Sequence, residues 1–374
     1  RDDVELELER AVDEARAGDE PDRSTLFDFV IAARPPVDAD AEQRTRVADP
    51  AEEWKMMDAV RAALEYELEH DPTVFAAGID VGQGGNVFAL TRGLCDRFPG
   101  RVLDTPISET AIVGLAVGAA AAGLRPVVEI MYLDFIGVCL DQLMNQAAKL
   151  RYMTGGGVTL PLTVRTQFGS GRSSGSQHSQ SLEVLLAHIP GLTVVMPSTA
   201  ADAYGLLRAA IRDPNPVIVI ENRALYGRRQ SRCAEDHIVP IGTAAVVRPG
   251  RDLTIVSVSR MVHESLQAAA ELAQLGIEAE VVDLRTVVPL DWPTVFESVT
   301  KTSRLLVAHE AVTHFGIGAE IAARVADELF WALDAPIRRV GAPFTPAPYA
   351  PSLEREWMPN AATIVAAARE LVAQ

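Results

Sequence analysis

RVLDTPISETAIVGLAVGAAAAGLRPVVEIM, residues 101 to 131, is the stretch on which the fold turns. A short apolar run is broken by Thr105-Pro106. A long Ala- and Val-rich segment then runs to Gly123, and a second apolar run begins at Arg125. Breaker residues at those points read as strand, helix, strand, because the middle segment is too long for a strand and the flanks are short and apolar.

The same alternation extends both ways. Upstream, EWKMMDAVRAALEYELEH (53–70) has helical spacing and TVFAAGIDVG (73–82) reads as a buried strand. Downstream, DFIGVCLDQLMNQAAKLRYM (134–153) reads as one helix and LPLTVRT (160–166) as a strand; GLTVVMP (191–197), TAADAYGLLRAAIRD (199–213) and PVIVIEN (216–222) give strand, helix, strand. After a weaker region at 223–250, LTIVSVS (253–259) restarts the pattern. A helix over 261–274, the strands IEAEVVDL, RLLVAHE and IRRVG, a helix after Phe315 and a terminal helix over 361–372 complete it. Apolar strands alternating with helices predict parallel sheets covered on both faces, and the length suits two α/β domains.

The first residues differ from the rest. Residues 1–54 hold 17 acids and 7 bases, so −10 of the net −17 lies there, in an expected helix over 3–17 and a linker, AARPPVDADAEQRTRVADP, over 32–50. An acidic chain is a poor match for a nucleic-acid partner held by charge. Cys95, Cys139 and Cys233 are odd in number and lack metal-ligand spacing, which predicts a reducing, cytoplasmic setting without disulfides. No apolar run reaches the length of a membrane span.

Common single-chain motifs are absent: GQGGNVFAL (82–90) lacks dinucleotide-binding spacing, and no phosphate-binding loop or nucleophile elbow occurs. Glu109 follows a strand and a potential cap, Ser108, at the end of a parallel sheet where ligands bind. From the spacing alone the helix dipole, which favours an acid in the first turn by roughly 0.3–1 kcal/mol, is the better explanation of it. Gly114 and Gly118 leave a groove on that helix suited either to a subunit contact or to tight internal packing. His178 closes the Ser/Gly stretch SGRSSGSQHSQS (170–181) and is either a surface residue or a proton shuttle bordering a pocket.

The stretch 101–135, DQLMNQAAKLRYMTGG, QHSQSLE, IPGLTVVMPSTAADAYGLLRAAIRD, VVDLRTVVPLD and TPAPYAPSLE together resemble the beta subunit of thiamine-diphosphate-dependent 2-oxo acid dehydrogenases, from about Asp58 onward. The resemblance implies a thiamine-diphosphate-binding, pyrimidine-type parallel-sheet domain over 55–235. A transketolase C-terminal-type α/β domain would follow over 236–374, behind an arm at 1–54. It implies that Glu109 hydrogen-bonds a ring nitrogen of the cofactor's aminopyrimidine, promoting the tautomer whose amino group takes the thiazolium proton. Phe135 matches the residue stacked on the pyrimidine. His178 matches a histidine assisting proton transfer during acyl transfer to a lipoyl group. Leu162, Ala210, Asp213 and Asn215 match a potassium site.

No Gly-Asp-Gly motif with a following Asn is present, so magnesium and the diphosphate would be held by an alpha part, in an alpha2beta2 assembly serving a lipoyl-bearing acyltransferase. The segment ELERAVDEARAGDEPDRSTLFDFVI resembles the end of a family alpha chain, which implies a fused gene product; the chain opens on Arg1 rather than Met. Ile79, in GIDVG, stands where the family usually carries an acid, which bears on proton communication between paired sites. The alternatives are a split transketolase or acyloin-forming enzyme on the same scaffold, sharing Glu109 and differing in acceptor, and a non-catalytic assembly subunit.

Overall fold

The computed structural model describes residues 1–34 and 47–374. Strands follow in chain order: β1 (Val47–Lys55), β2 (Val74–Gly78), β3 (Val102–Asp104), β4 (Arg125–Ile130), β5 (Thr163–Phe168), β6 (Thr193–Val195), β7 (Val217–Asn222) and β8 (Arg229–Cys233). The remainder are β9 (Ala245–Arg248), β10 (Leu253–Ser257), β11 (Ala279–Asp283), β12 (Thr286–Val288), β13 (Leu305–Val312) and β14 (Arg338–Ala342). One seven-stranded sheet has the order β12-β6-β7-β5-β4-β2-β3 and one five-stranded sheet the order β14-β13-β10-β11-β9. All pairs in the first are parallel except β12 with β6, and all in the second except β9 with β11.

Burial explains this architecture. Every residue of β5, β7, β10 and β11 is buried, as expected of parallel strands covered on both faces. The helix Met56–His70 buries Met56, Ala59, Val60, Ala63, Leu64 and Leu68, an i, i+3, i+4 stripe laid on the first sheet. Thr199 caps the helix Ala200–Arg212 by accepting from Asp202 N at 3.0 Å, and Asp202 reaches back to Thr199 N, so two orphan donors are satisfied before the helix stops ahead of Pro214. A single apolar cluster includes Val128, Val164 and Ile218 of the first sheet and Val256, Val282 and Val307 of the second, so the two sheets share a core.

Several expectations are corrected. The stretch 134–153 is not one helix: a 3₁₀ turn (Leu133–Cys139), a π-helical turn (Gln142–Ala147) and a short α-helix (Leu150–Met153) follow one another. The helix Trp292–Thr302 and strand β12 were not expected from the sequence. The end of the expected linker belongs to β1, which pairs with β8; its part at 35–46 lies outside the described residues. The helix Asp2–Ala17 agrees with expectation and buries no residue. Among the described residues no helix is long and apolar enough to cross a membrane.

Candidate active site

The carboxyl ends of β3, β4, β5 and β7 build one neighbourhood. Glu109 opens the helix Glu109–Ala121 just after β3. Ser108 occupies the cap position, yet its side chain makes no capping hydrogen bond, contrary to the expected role. Glu109 is only 7% exposed, and among the described residues its carboxylate has no hydrogen-bond partner. Its oxygens are not among the buried atoms that lack a partner, so the carboxylate opens toward solvent at the mouth of the site. Its charge is felt locally: the Cys139 thiol is pushed up to about 12 by burial and, secondarily, by Glu109.

The turn Leu133–Cys139 packs beside the start of that helix, where Thr110 Oγ1 donates to Val138 O at 2.8 Å. It carries Phe135, half-buried, whose ring meets Tyr132 edge-on at 5.6 Å between centroids and His178 at 5.4 Å. His178 also meets Tyr132 edge-on at 4.8 Å. Glu109, Phe135 and His178 are thus linked through one turn. The interrupted helicity at 133–153 shapes that turn, and π-helical segments recur at functional sites. Ile79 packs in the apolar cluster with Ile112, Val113 and Val128.

The loop bearing His178 is held by buried charges. Ser170 N donates to Glu310 Oε1 (2.8 Å), while Gly171 N and Ser173 N donate to Glu354 Oε1 and Oε2 (2.7 and 2.9 Å). Arg223 Nη2 donates to Gly169 O and His178 O (2.5 and 2.7 Å), and its guanidinium lies 5.1 Å from the Tyr132 ring centroid. Gln180 Nε2 donates to Asp134 Oδ1 at 2.8 Å. The glycines suit the backbone: Gly169, Gly171 and Gly175 all have positive φ.

A second buried cluster was missed in the sequence. Arg165 on β5 donates through Nη1 to Glu129 Oε2 (3.0 Å) and through Nε and Nη2 to Glu221 Oε1 and Oε2 (2.8 and 2.9 Å). Asn86 Nδ2 donates to both Glu129 oxygens, and Tyr226 Oη to Glu221 Oε2 at 2.7 Å. Burial raises the Glu129 carboxyl above its usual range against the pull of Arg165. The available signal was a charge inside each of three buried strands, Glu129, Arg165 and Glu221.

Leu162, Ala210, Asp213 and Asn215 gather at the opposite, amino-terminal edge of the sheet, where Val217 N donates to Leu162 O (2.9 Å) and Asp213 N to Ala210 O (3.2 Å). Asp213 Oδ1 accepts from Asn215 N and Nδ2 (2.9 and 2.7 Å), and Oδ2 from Arg34 Nε at 2.6 Å.

This arrangement belongs to a recognisable class. The family model for the transketolase pyrimidine-binding domain matches residues 52–229, and that for the transketolase C-terminal domain matches 242–364. A split-gene transketolase described as an inactive beta4 tetramer superposes with a TM-score of 0.71 at 22% identity, covering 85% of this chain and 98% of that one, a likeness of fold alone. Among relatives, the beta subunit of acetoin:2,6-dichlorophenolindophenol oxidoreductase from Cupriavidus necator is 48% identical over 83% of this chain and 95% of its own. The 2-oxoisovalerate dehydrogenase beta subunit of Bacillus subtilis is 43% identical over 84% and 97%, and the mitochondrial pyruvate dehydrogenase E1 beta-2 subunit of Oryza sativa subsp. japonica 44% over 90% and 91%. The chain belongs to the family of beta subunits of thiamine-diphosphate-dependent 2-oxo acid dehydrogenases.

Proposed function

We propose that this chain is the beta part of a 2-oxo acid dehydrogenase, which decarboxylates a 2-oxo acid and passes the acyl group to a lipoyl acceptor. The observation that carries this reading is Glu109: a residue 7% exposed whose carboxylate has no hydrogen-bond partner among the described residues, at the ligand-binding end of a parallel sheet. Such a group fits a heterocycle that exchanges a proton with it. Thiamine diphosphate, when bound, supplies the nucleophilic carbon and electron sink for decarboxylation. Glu109 would hold or share a proton at the pyrimidine ring nitrogen. Phe135 offers a ring to stack on the pyrimidine. His178, held in place by Arg223 and flanked by Tyr132 and Phe135, moves a proton to or from the acceptor during acyl transfer.

The rest of the site is assigned to an alpha part, which binds magnesium and the diphosphate in an alpha2beta2 assembly. Exposed apolar side chains around Glu109, namely Ile107, Leu115, Val138 and Met144, support a partner on that face. The division at 54/55 and 235/236, a lipoyl-bearing acyltransferase and a cytoplasmic setting complete the reading; three free cysteines favour the last. Potassium is left out because Asp213 is already neutralised by Arg34.

The test uses this chain assembled with its alpha part and thiamine diphosphate. Carbon dioxide release and dye reduction with 2-oxo acids are expected. Product formation only when an aldehyde or ketone is added would favour the carbon-transfer enzyme.

A further inference from the structure

The corner containing Asp213 is built around a charge. Hard cations are held by oxygens, and a buried carboxylate among them provides the opposing charge. Here both side-chain oxygens of Asp213 are engaged, Oδ1 by Asn215 and Oδ2 by the Arg34 guanidinium. Arg34 continues through Nη2 to Thr193 Oγ1 at 2.6 Å. Asn215 is clasped by the arm as well, accepting from Ala32 N at 2.6 Å and donating through Nδ2 to Ala32 O at 3.0 Å. Left over are the carbonyls of Leu162 and Ala210, each already accepting a backbone N–H, and the buried Thr163 hydroxyl, which has no partner among the described residues. With Arg34 in place this set does not fit potassium, since the ion would add a second positive charge beside a carboxylate already matched.

We propose that Arg34 is the chain's own counter-cation for Asp213, taking the place of a dissolved monovalent ion, and that residues 32–34 clip the amino-terminal arm to the base of the seven-stranded sheet. A tethered charge is present at fixed effective concentration and needs none from solution. The arm helix Asp2–Ala17 buries nothing, so these contacts at Ala32 and Arg34, with Phe29 against Gly156 and Tyr152 Oη donating to Leu26 O at 3.4 Å, fasten the part of the arm before residue 35, as β1 pairing with β8 fastens its end. The corner lies at the opposite sheet edge from Glu109, so its stability can be read separately from catalysis.

Thermal unfolding of the full chain assembled with its alpha part, in potassium chloride and in choline chloride at equal ionic strength, tests this. The wild type is expected to melt at the same temperature in both salts. Arg34→Gln should melt roughly 5 °C lower in choline and recover part of that loss in potassium, as Leu162, Ala210, Thr163 and the freed Asp213 accept the ion. If Arg34→Gln does not assemble in either salt, Arg34→Lys, which keeps the charge, should be indifferent to potassium. A wild type or Arg34→Lys protein stabilised by potassium overturns the proposal, as does an Arg34→Gln protein melting alike in both salts.

Discussion

Two glutamates on a helix and the strand that follows it meet opposite fates. Glu109 and Glu129 are almost equally buried, 7% and 5% exposed, yet Glu129 receives hydrogen bonds from Asn86 and Arg165 while Glu109 receives none among the described residues. Burial alone therefore does not mark a working carboxylate. A saturated one belongs to the scaffold, whereas one without a protein donor at a ligand edge is open to a donor brought from outside.

The sharpest way to break this contrast is to neutralise each side in turn. Glu109→Ala is expected to lower turnover of the assembled enzyme by about 10²–10⁴-fold, the range for a positioned acid–base group, with its melting temperature nearly unchanged. Steady-state kinetics and calorimetry on the same sample would check it; equal activity would place Glu109 with the scaffold. Arg165→Met should do the reverse, costing about 3–5 kcal/mol by stranding Glu129 and Glu221 in the core, measured by denaturant unfolding.

A third carboxyl sharpens the comparison at smaller scale. Asp283 is buried beside Asp202, and burial first, then that neighbouring charge, pushes it up to about 7. Unfolded, it titrates near 4, so between about pH 4 and 7 the folded state binds the extra proton and this contribution to stability falls as pH rises. Melting curves across that window should show Asp283→Asn flatter than wild type, by up to ~1.4 kcal/mol per pH unit.

Legibility followed the kind of signal. Period and breakers disclosed the helices 56–70, 109–121 and 200–212 and most parallel strands, because there local pattern and burial agree. They failed at 133–153, where Gly137 interrupts the run and the segment packs close to Gly114, whose added Cβ would come 3.8 Å from Gln142 Cγ. They failed again at β12, three residues defined only by the partner strand β6. For the site, the residues alone favoured the helix dipole as the reason for Glu109, and the joint resemblance supplied its role. The Arg165 cluster and the Arg34 contact join positions far apart in the chain, a pairing that no local spacing encodes.

Strand β12 carries one more consequence. It follows β11 of the five-stranded sheet in the chain yet pairs with β6 of the other, and Met196 N donates to Arg285 O at 2.8 Å beside it. A fragment truncated at residue 235 would lose that cover and present β6 as a bare strand flank. Such flanks template intermolecular pairing, so the severed half should precipitate or self-associate where the whole chain does not.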